Sequence, residues 1–174
     1  MSQQAQAIVM AWSECEIEIG AIGSNDAMGA SLASIGTIKD RSSFLESSDG
    51  DSLEMKSTGG HTVDKEFGEG GFALRTRVIE PDGTLEAALG LTTTAASQGE
   101  VTIKTHLVDG YKSVKVTPKN VGAWGIKAPK CKITYKPGWS EEDGNYADLS
   151  IEILHGAAGY WYSKFQKSAP VSQG

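Results

Sequence analysis

The chain has 174 residues, of which 39% are hydrophobic and 22% charged, a composition typical of a single globular domain rather than a disordered chain. The net charge of −6 argues against sequence-specific binding to duplex DNA, because proteins that do this usually carry a basic patch. No apolar run reaches the roughly 20 residues that cross a bilayer. Residues 1–6 contain no basic region, so no signal peptide is expected.

The charge is unevenly distributed along the chain. Residues 1–100 hold 16 acidic and 6 basic residues, whereas residues 101–174 hold 6 acidic and 10 basic residues. Opposed charges of this kind can let one face of a subunit bind the opposite face of another. We expect one domain over residues 1–174, with flexible ends at about residues 1–7 and 168–174.

The first half of the chain contains segments with clear periodicity. Apolar and acidic side chains alternate over residues 14–19, which predicts a strand with an acidic outer face. Residues 20–36 are rich in Gly, Ala and Ser and predict a weak helix or an ordered loop. Alternation returns over residues 53–56 and 72–79, which predicts two further strands. Residues 84–89 carry the apolar stripe of a short helix.

The second half predicts a hairpin and two more strands. Residues 101–107 and 114–116 alternate on either side of an Asp-Gly turn, which is a common hairpin signal. Residues 131–135 alternate with lysines, and we expect Pro137-Gly138 to end that strand. Residues 149–153 form the last predicted strand.

A polar, glycine-rich segment over residues 57–71 separates two of the predicted strands. A connection of this length in a compact β domain is usually functional or disordered. The elements together predict a mainly β fold, a β-sandwich or small barrel with one short flanking α-helix and this long inter-strand loop.

No set of residues with catalytic chemistry stands out. His61, His106 and His155 are far apart, without a second ligand at metal-binding spacing, and no nucleophile elbow or phosphate loop occurs. We therefore expect no catalytic, metal or cofactor site, and no enzyme. The acidic run at residues 141–143 is interpreted as a solvated loop.

The two cysteines, Cys15 and Cys131, both lie on the apolar side of a predicted strand. We interpret them as reduced, buried thiols that pack as small hydrophobes. A disulfide requires the two strands to be neighbours, and that is left open at this point.

Two charged strand faces are complementary, and they are formed by Glu14, Glu16 and Glu18 and by Lys130, Lys132 and Lys136. They are either cross-strand neighbours in one sheet, worth a few tenths of a kcal/mol per exposed pair, or they meet across subunits. The aromatic run at residues 160–162 would point to both faces of an extended segment, which favours an interface role for Trp161.

Several short runs resemble bacteriophage major tail tube proteins. They are DGDSLEMK at 49–56, TGG at 58–60, EGGF at 69–72 and VIEP at 78–81, followed by the helix at 85–91. The resemblance implies a β-sandwich-like protomer with a flanking helix, a fold that this family shares with the tube protein of type VI secretion systems. Six protomers would close their sheets into a ring, and stacked rings would form a tube that the genome crosses.

The same resemblance implies partners and a location. The partners are other copies of the chain, other tail proteins and DNA that passes without specific binding, and no membrane is involved. The protein would be made in the cytoplasm of the bacterial host and reside in the virion tail. An acidic lumen would repel DNA phosphates, and Arg75 and Arg77 would be awkward there.

Within this picture, the segment at 57–71 is interpreted as an assembly loop that reaches a neighbouring protomer or ring. Its proposed contact residues are Gly59, Gly60, His61, Asp64, Lys65, Glu66 and Phe67. The alternative is a secreted or surface-attached β-sandwich binding module, for which Trp139 and Trp161 could stack on carbohydrate.

Overall fold

The computed structural model describes residue 12, residues 14–92 and residues 99–169. The predicted flexible segment at residues 1–7, and all but residues 168–169 of the one at the C-terminus, lie outside the described residues. The strands and the α-helix are β1 (Glu16–Ala21), β2 (Leu32–Ser34), β3 (Phe44–Ser48), β4 (Ser52–Lys56), β5 (Thr62–Phe67), β6 (Gly71–Ile79), α1 (Thr84–Ala88), β7 (Lys112–Thr117), β8 (Trp124–Ser140), β9 (Gly144–Ile153) and β10 (Ser163–Gln166).

Eight of these strands form one antiparallel sheet in the order β2-β1-β7-β8-β9-β6-β3, with β10 paired to β8. The 17-residue strand β8 joins the two halves of this sheet. Its first part pairs with β7 and β10, and its second part pairs with β9. The fold is therefore mainly β with one short helix, as expected, and the sheet is not closed into a barrel.

The core lies on one face of the sheet and beneath α1. Along β9, Leu149, Ile151 and Ile153 are buried at every second position. The helix adds Leu85 and Leu89 to the same apolar cluster. Full burial of such a side chain contributes about 1.5–3 kcal/mol, so alternate burial along the central strands holds the sheet and the helix together.

The predicted strand at residues 101–107 is wrong. In the described residues this segment makes only an isolated bridge, between Thr92 and Ile103. The Asp-Gly turn therefore closes no hairpin. The reason is that β7, its expected partner, already has β1 on one side and β8 on the other. No ladder position remains for a further strand beside β7.

The predicted strand end at Pro137-Gly138 is also wrong, because β8 continues to Ser140. At Pro137 the strand pairs with Ala147 of β9, whereas its pairing with β7 has already ended at Cys131. Proline lacks an N–H donor and is tolerated where a strand has a neighbour on only one side.

Four strands are absent from the sequence-based prediction, and three of them, β2, β3 and β10, belong to the large sheet. Strands β2 and β3 lie at the two edges of the sheet, and β10 pairs with the first residues of β8. Their residues are mostly exposed, so they lack the polar–apolar alternation that burial of one face imposes. The segment at 20–36 is an ordered loop that contains β2 and a short 3-10 turn, Ser24–Asp26.

The predicted long loop at 57–71 is corrected by the structure. It contains β5, which pairs with β4 to form a separate two-stranded sheet. Both faces of this hairpin are exposed, so neither face imposed an apolar pattern on the sequence. The connecting turn uses Gly59 and Gly60, whose positive φ angles of 104° and 82° favour glycine.

Candidate assembly surface

The β4–β5 hairpin, residues 52–67, is called the arm below. Its strands pair only with each other among the described strands. Four large apolar side chains are exposed on it, Leu53 by 73%, Met55 by 64%, Val63 by 64% and Phe67 by 75%. Single exposed apolar residues are ordinary, but a group of this size on one small element is typical of a docking surface.

One face of the arm combines apolar and acidic side chains. In the strand register Leu53 lies opposite Glu66, and Met55 lies opposite Asp64. Directly opposed residues in an antiparallel pair point to the same side. This face therefore presents two apolar side chains beside two carboxylates.

The other face of the arm satisfies its own charges. The Lys65 ammonium lies 3.1 Å from the Glu54 carboxylate and 5.1 Å from the centre of the Phe67 ring. These charges pair within the arm, and on the first face Asp64 accepts a hydrogen bond from the Lys65 N–H at 2.8 Å. The apolar side chains of the first face, Leu53 and Met55, stay exposed.

A glycine-rich neck connects the arm to the large sheet. The Gly68 N–H donates to the Asp51 carbonyl at 2.6 Å. A β-carbon on Gly70 would collide with the Ser48 carbonyl, and one on Gly50 would collide with the Gly68 carbonyl. The two backbone segments of the neck therefore approach each other more closely than a residue with a β-carbon allows. They connect the paired strands β3 and β6 to the paired strands β4 and β5.

All of the residues proposed from the sequence as assembly contacts on this segment lie on the arm. The turn carries Gly59, Gly60 and His61, and strand β5 carries Asp64, Lys65, Glu66 and Phe67. Every one of them is exposed.

The two complementary charged faces predicted from the sequence are not neighbours in the sheet. Glu14, Glu16 and Glu18 lie on or next to β1, and β7 separates that strand from β8. Their cations come from β7 and its flank, because Glu14 pairs with Lys119 and the Glu18 carboxylate lies 4.0 Å from Lys115. The cross-strand interpretation of these faces is therefore wrong.

The lysines of the second face also have acidic neighbours within the chain. The Lys130 ammonium lies 3.1 Å from the Asp26 carboxylate, and this hydrogen bond lowers the pKa of Asp26. Lys132 and Lys136 each lie opposite an acidic residue of β9. Their part in contacts between subunits stays a prediction.

A charge network on the outer face of the sheet was missed by the sequence interpretation. The Arg77 guanidinium donates to Asp148 at 2.6 Å and to Asp143 at 2.8 Å. The Lys39 ammonium lies 2.8 Å from Asp143, and the Arg77 guanidinium carbon lies 4.1 Å from the centre of the Tyr146 ring. Nothing in the local sequence around residue 143 signals these partners, which are distant along the chain.

This network gives Asp143 a role that a solvated loop residue lacks. Hydrogen bonds from Lys39, and then from Arg77, lower the pKa of Asp143. The carboxylates of Asp148 and Asp143 raise the pKa of Arg77. The β8–β9 turn is thereby tied to β6 and to the segment before β3, so the expectation of a solvated loop is wrong at Asp143.

Trp161 packs within the chain beside the neck of the arm. Its indole N–H donates to Glu69 at 3.0 Å. Its ring lies edge-on to Phe72, 5.6 Å between ring centres, and to His155 at 5.3 Å. These contacts connect the aromatic run to the base of the arm, and a contact of Trp161 with a second subunit stays a prediction.

The two cysteines are free thiols. Burial raises the pKa of Cys131 to about 12 and also raises the pKa of the half-buried Cys15. The interpretation as a buried, reduced thiol is confirmed for Cys131, whereas Cys15 is only partly enclosed.

Within residues 14–92 and 99–169, together with residue 12, no group of three or more His, Cys, Asp or Glu side chains could hold a metal ion. In the same part of the chain no helix is long and apolar enough to cross a membrane.

A scan against protein-family models and a search of curated protein sequences found no match. Among solved structures, the chain is similar to the cryo-EM structure of the cap that terminates the tube of the anti-feeding prophage. The two chains are 8% identical, the match covers 95% of this chain and 96% of that one, and the TM-score is 0.43.

Proposed function

We propose that this chain is a structural subunit of a phage or prophage tail tube, which self-assembles into stacked hexameric rings around a channel for DNA passage. The observation that carries self-assembly is the arm, which leaves the large apolar side chains Leu53 and Met55 exposed on one face. The assignment to a tail tube rests on the sequence runs at 49–60 and 69–91 that resemble tail tube proteins.

The dimensions of the arm fit a contact with a neighbouring subunit. A strand of five or six residues at about 3.4 Å per residue extends roughly 20 Å. The arm therefore projects by about twice the roughly 10 Å spacing of stacked sheets. Leu53 and Met55 would each contribute about 1.5–3 kcal/mol if a neighbour buried them fully.

The two edges of the large sheet support ring closure. Strands β2, β3 and β10 each have one neighbouring strand among the described strands, and β2 and β3 stand at the two ends of the strand order. Unpaired strand edges are ready templates for another chain. A contact between β2 of one subunit and β3 of the next is heterologous. It forms a closed ring when the rotation between neighbouring subunits is a whole fraction of a full turn. Head-to-tail stacking of such rings does not close, so the stack can grow into a tube.

The charges of the outer sheet face are compatible with a channel for DNA. Arg75 donates to Glu46 at 2.7 Å, and Arg77 is held between two carboxylates. Both arginines are thus neutralised within the chain, which removes the difficulty that they pose in an acidic lumen. In the proposed tube, other tail proteins are the further partners, the virion tail is the location, and the chain carries out no catalytic step.

Electron microscopy and native mass spectrometry of the purified protein test this proposal. We expect rings or short tubes at high protein concentration. The amount of assembled protein should change with ionic strength, because salt screens the charged contacts between subunits. Monomers alone, at every salt and up to the highest soluble concentration, would contradict it.

Trp139 favours a second candidate, a secreted or surface-attached module that binds carbohydrate. Its side chain is 79% exposed and offers a flat ring for stacking, whereas Trp161 is engaged with Glu69 and Phe72. A change in tryptophan fluorescence on addition of glycans, lost in Trp139→Ala, would support this candidate over the tail tube.

A further inference from the structure

A cavity of about 440 Å³ lies between α1, the second part of β8 and the segment after residue 100. Its walls include Glu86, Ile103, His106, Tyr135 and Trp139. It is separate from the arm and from the two sheet edges, so the proposed assembly surface makes no use of it.

A buried carboxylate forms part of this cavity wall. Glu86 is only 5% exposed, and its Oε1 accepts a hydrogen bond from the Tyr135 hydroxyl at 3.0 Å. Its Oε2 is buried and has no hydrogen-bond partner among the described residues. A buried polar atom without a partner is costly, and this cost is larger for a charged group.

The hydroxyl of Tyr135 stays a donor in this arrangement. Burial, followed by the neighbouring Glu86 carboxylate, raises the pKa of Tyr135. The tyrosine oxygen therefore keeps its proton and donates a hydrogen bond to Oε1, so Oε2 is the oxygen of Glu86 that has no donor among the described residues. None of the described residues that line the cavity is a lysine or an arginine, so no basic side chain of its described wall lies beside Oε2.

We propose that this cavity binds an organic cation with N–H donors, a guanidinium or a primary ammonium group. The free Oε2 of Glu86 would accept from the cation, since hydrogen bonds to charged groups are the stronger ones. Trp139, at the rim, presents a ring face that attracts cations. A ligand without an N–H donor would leave Oε2 without a partner, and a neutral N–H donor forms a weaker hydrogen bond to a carboxylate than a charged one does.

This inference goes beyond the tail tube proposal and stands without it. The cation is either a free small molecule or the side chain of an arginine or lysine that another chain inserts. Both sources present the same chemistry to Glu86, and they differ in whether the cavity is occupied through contact between chains.

Calorimetric titration at pH 8 with N-acetyl-arginine methylamide, and with the neutral citrulline analogue of the same shape, tests the site. We expect the arginine probe to bind at least tenfold more tightly than the citrulline probe. Glu86→Gln, which keeps an acceptor for Tyr135 but removes the charge, should weaken arginine binding at least tenfold. Glu141→Gln, which removes an exposed carboxylate of the β8–β9 turn, should leave it unchanged.

Equal affinity for the two probes, or full binding by Glu86→Gln, would overturn the proposal. If Glu86→Gln does not fold, as judged by circular dichroism, Trp139→Ala takes its place. This exposed residue should be replaceable without loss of the fold, and its removal should weaken arginine binding about two- to fivefold. Unchanged binding by Trp139→Ala would then count as the overturning result.

Sedimentation of the wild type with saturating probe distinguishes the two sources. Inhibition of self-association by the arginine probe, absent in Glu86→Gln, identifies a basic side chain of a second copy as the occupant. Unchanged self-association with retained probe binding identifies a free small cation.

Discussion

Strand β9 and strand β4 have similar sequence patterns and opposite environments. In β9, Leu149 and Ile151 alternate with polar residues and are buried against the core. In β4, Leu53 and Met55 alternate with Glu54 and Lys56, and every residue is exposed. Alternation therefore identifies an amphipathic strand in both cases, but it does not say whether the apolar face meets the same chain or another one.

The two regions also differ in how they are held. The strands of the large sheet have neighbours and a common core, whereas an isolated two-stranded hairpin is marginally stable in water. The arm is held by its neck, where Gly68 bonds to Asp51. We expect the core to determine folding and the arm to determine assembly. Three measurements test this difference between the two regions.

The largest effect is expected from removal of the arm. Deletion of residues 52–67 joins Asp51 to Gly68, whose backbones already lie side by side in the neck, so a short loop can replace the arm. The shortened chain should keep its strand content and its melting temperature within a few degrees, and it should form no rings or tubes in electron micrographs.

The matched control for this deletion is Thr58→Ser, a small change at an exposed residue of the turn that retains the arm. Normal tubes from the deletion variant would show that the arm is only a connection. A deletion variant that fails to fold would instead place the arm within the cooperative core.

A pair of alanine substitutions compares the two regions directly. Ile151→Ala removes a side chain that is fully buried in the core, so we expect a loss of about 2–5 kcal/mol in the free energy of unfolding. Met55→Ala removes an exposed side chain, so we expect a change within about 0.5 kcal/mol. Urea unfolding of the monomer measures both values.

In an assembly measurement, Met55→Ala should have the larger effect and Ile151→Ala the smaller one. Met55→Ala should raise the protein concentration needed for rings, whereas folded Ile151→Ala should assemble normally at low temperature. Equal effects of the two substitutions on monomer stability would contradict the separation of core and arm.

A smaller effect is expected at Asp143, where charge ties the β8–β9 turn to the sheet. Its pKa is lowered in the folded state, so its contribution is complete above its ordinary value of about 3.9 and is lost as the pH falls through the folded-state value. Asp143→Asn should therefore have a lower melting temperature than the wild type from pH 5 to 7.

The difference between Asp143→Asn and the wild type should shrink as the pH drops below about 4, because protonation then removes the same charge from the wild type. Asp40→Asn, at an exposed site, serves as the control and should follow the wild type throughout. A melting-temperature difference that stays constant down to pH 2 would contradict the assigned ion pairs.

Prediction from the sequence succeeded where burial left a clear pattern. The strands at 14–19, 72–79, 131–135 and 149–153, as well as the helix at 84–89, have observed counterparts because one of their faces packs on the core. Prediction failed at residues 101–107, which have the same alternation. The expected partner of that segment, β7, pairs with β1 on one side and with β8 on the other. Which strands pair with β7 is decided by parts of the chain that are distant in sequence.

For the candidate assembly surface, the sequence located the segment but not its structure. The segment at residues 57–71 is unusual for its length and its glycine content. In the structure, its residues 62–67 form β5 of the arm. The partners of Arg77 and the position of Glu86 beside Tyr135 were inaccessible to sequence reasoning, because each contact joins residues far apart in the chain.

The sequence alone determined that this chain is mainly β, with a short helix and one unusual polar segment, because alternation, turn residues and composition are local properties. Only the tertiary structure decided which strands pair, where the sheet has its edges, and which apolar faces remain without partners. Those outcomes depend on the competition of distant segments for a limited number of hydrogen-bonding edges and for one buried face.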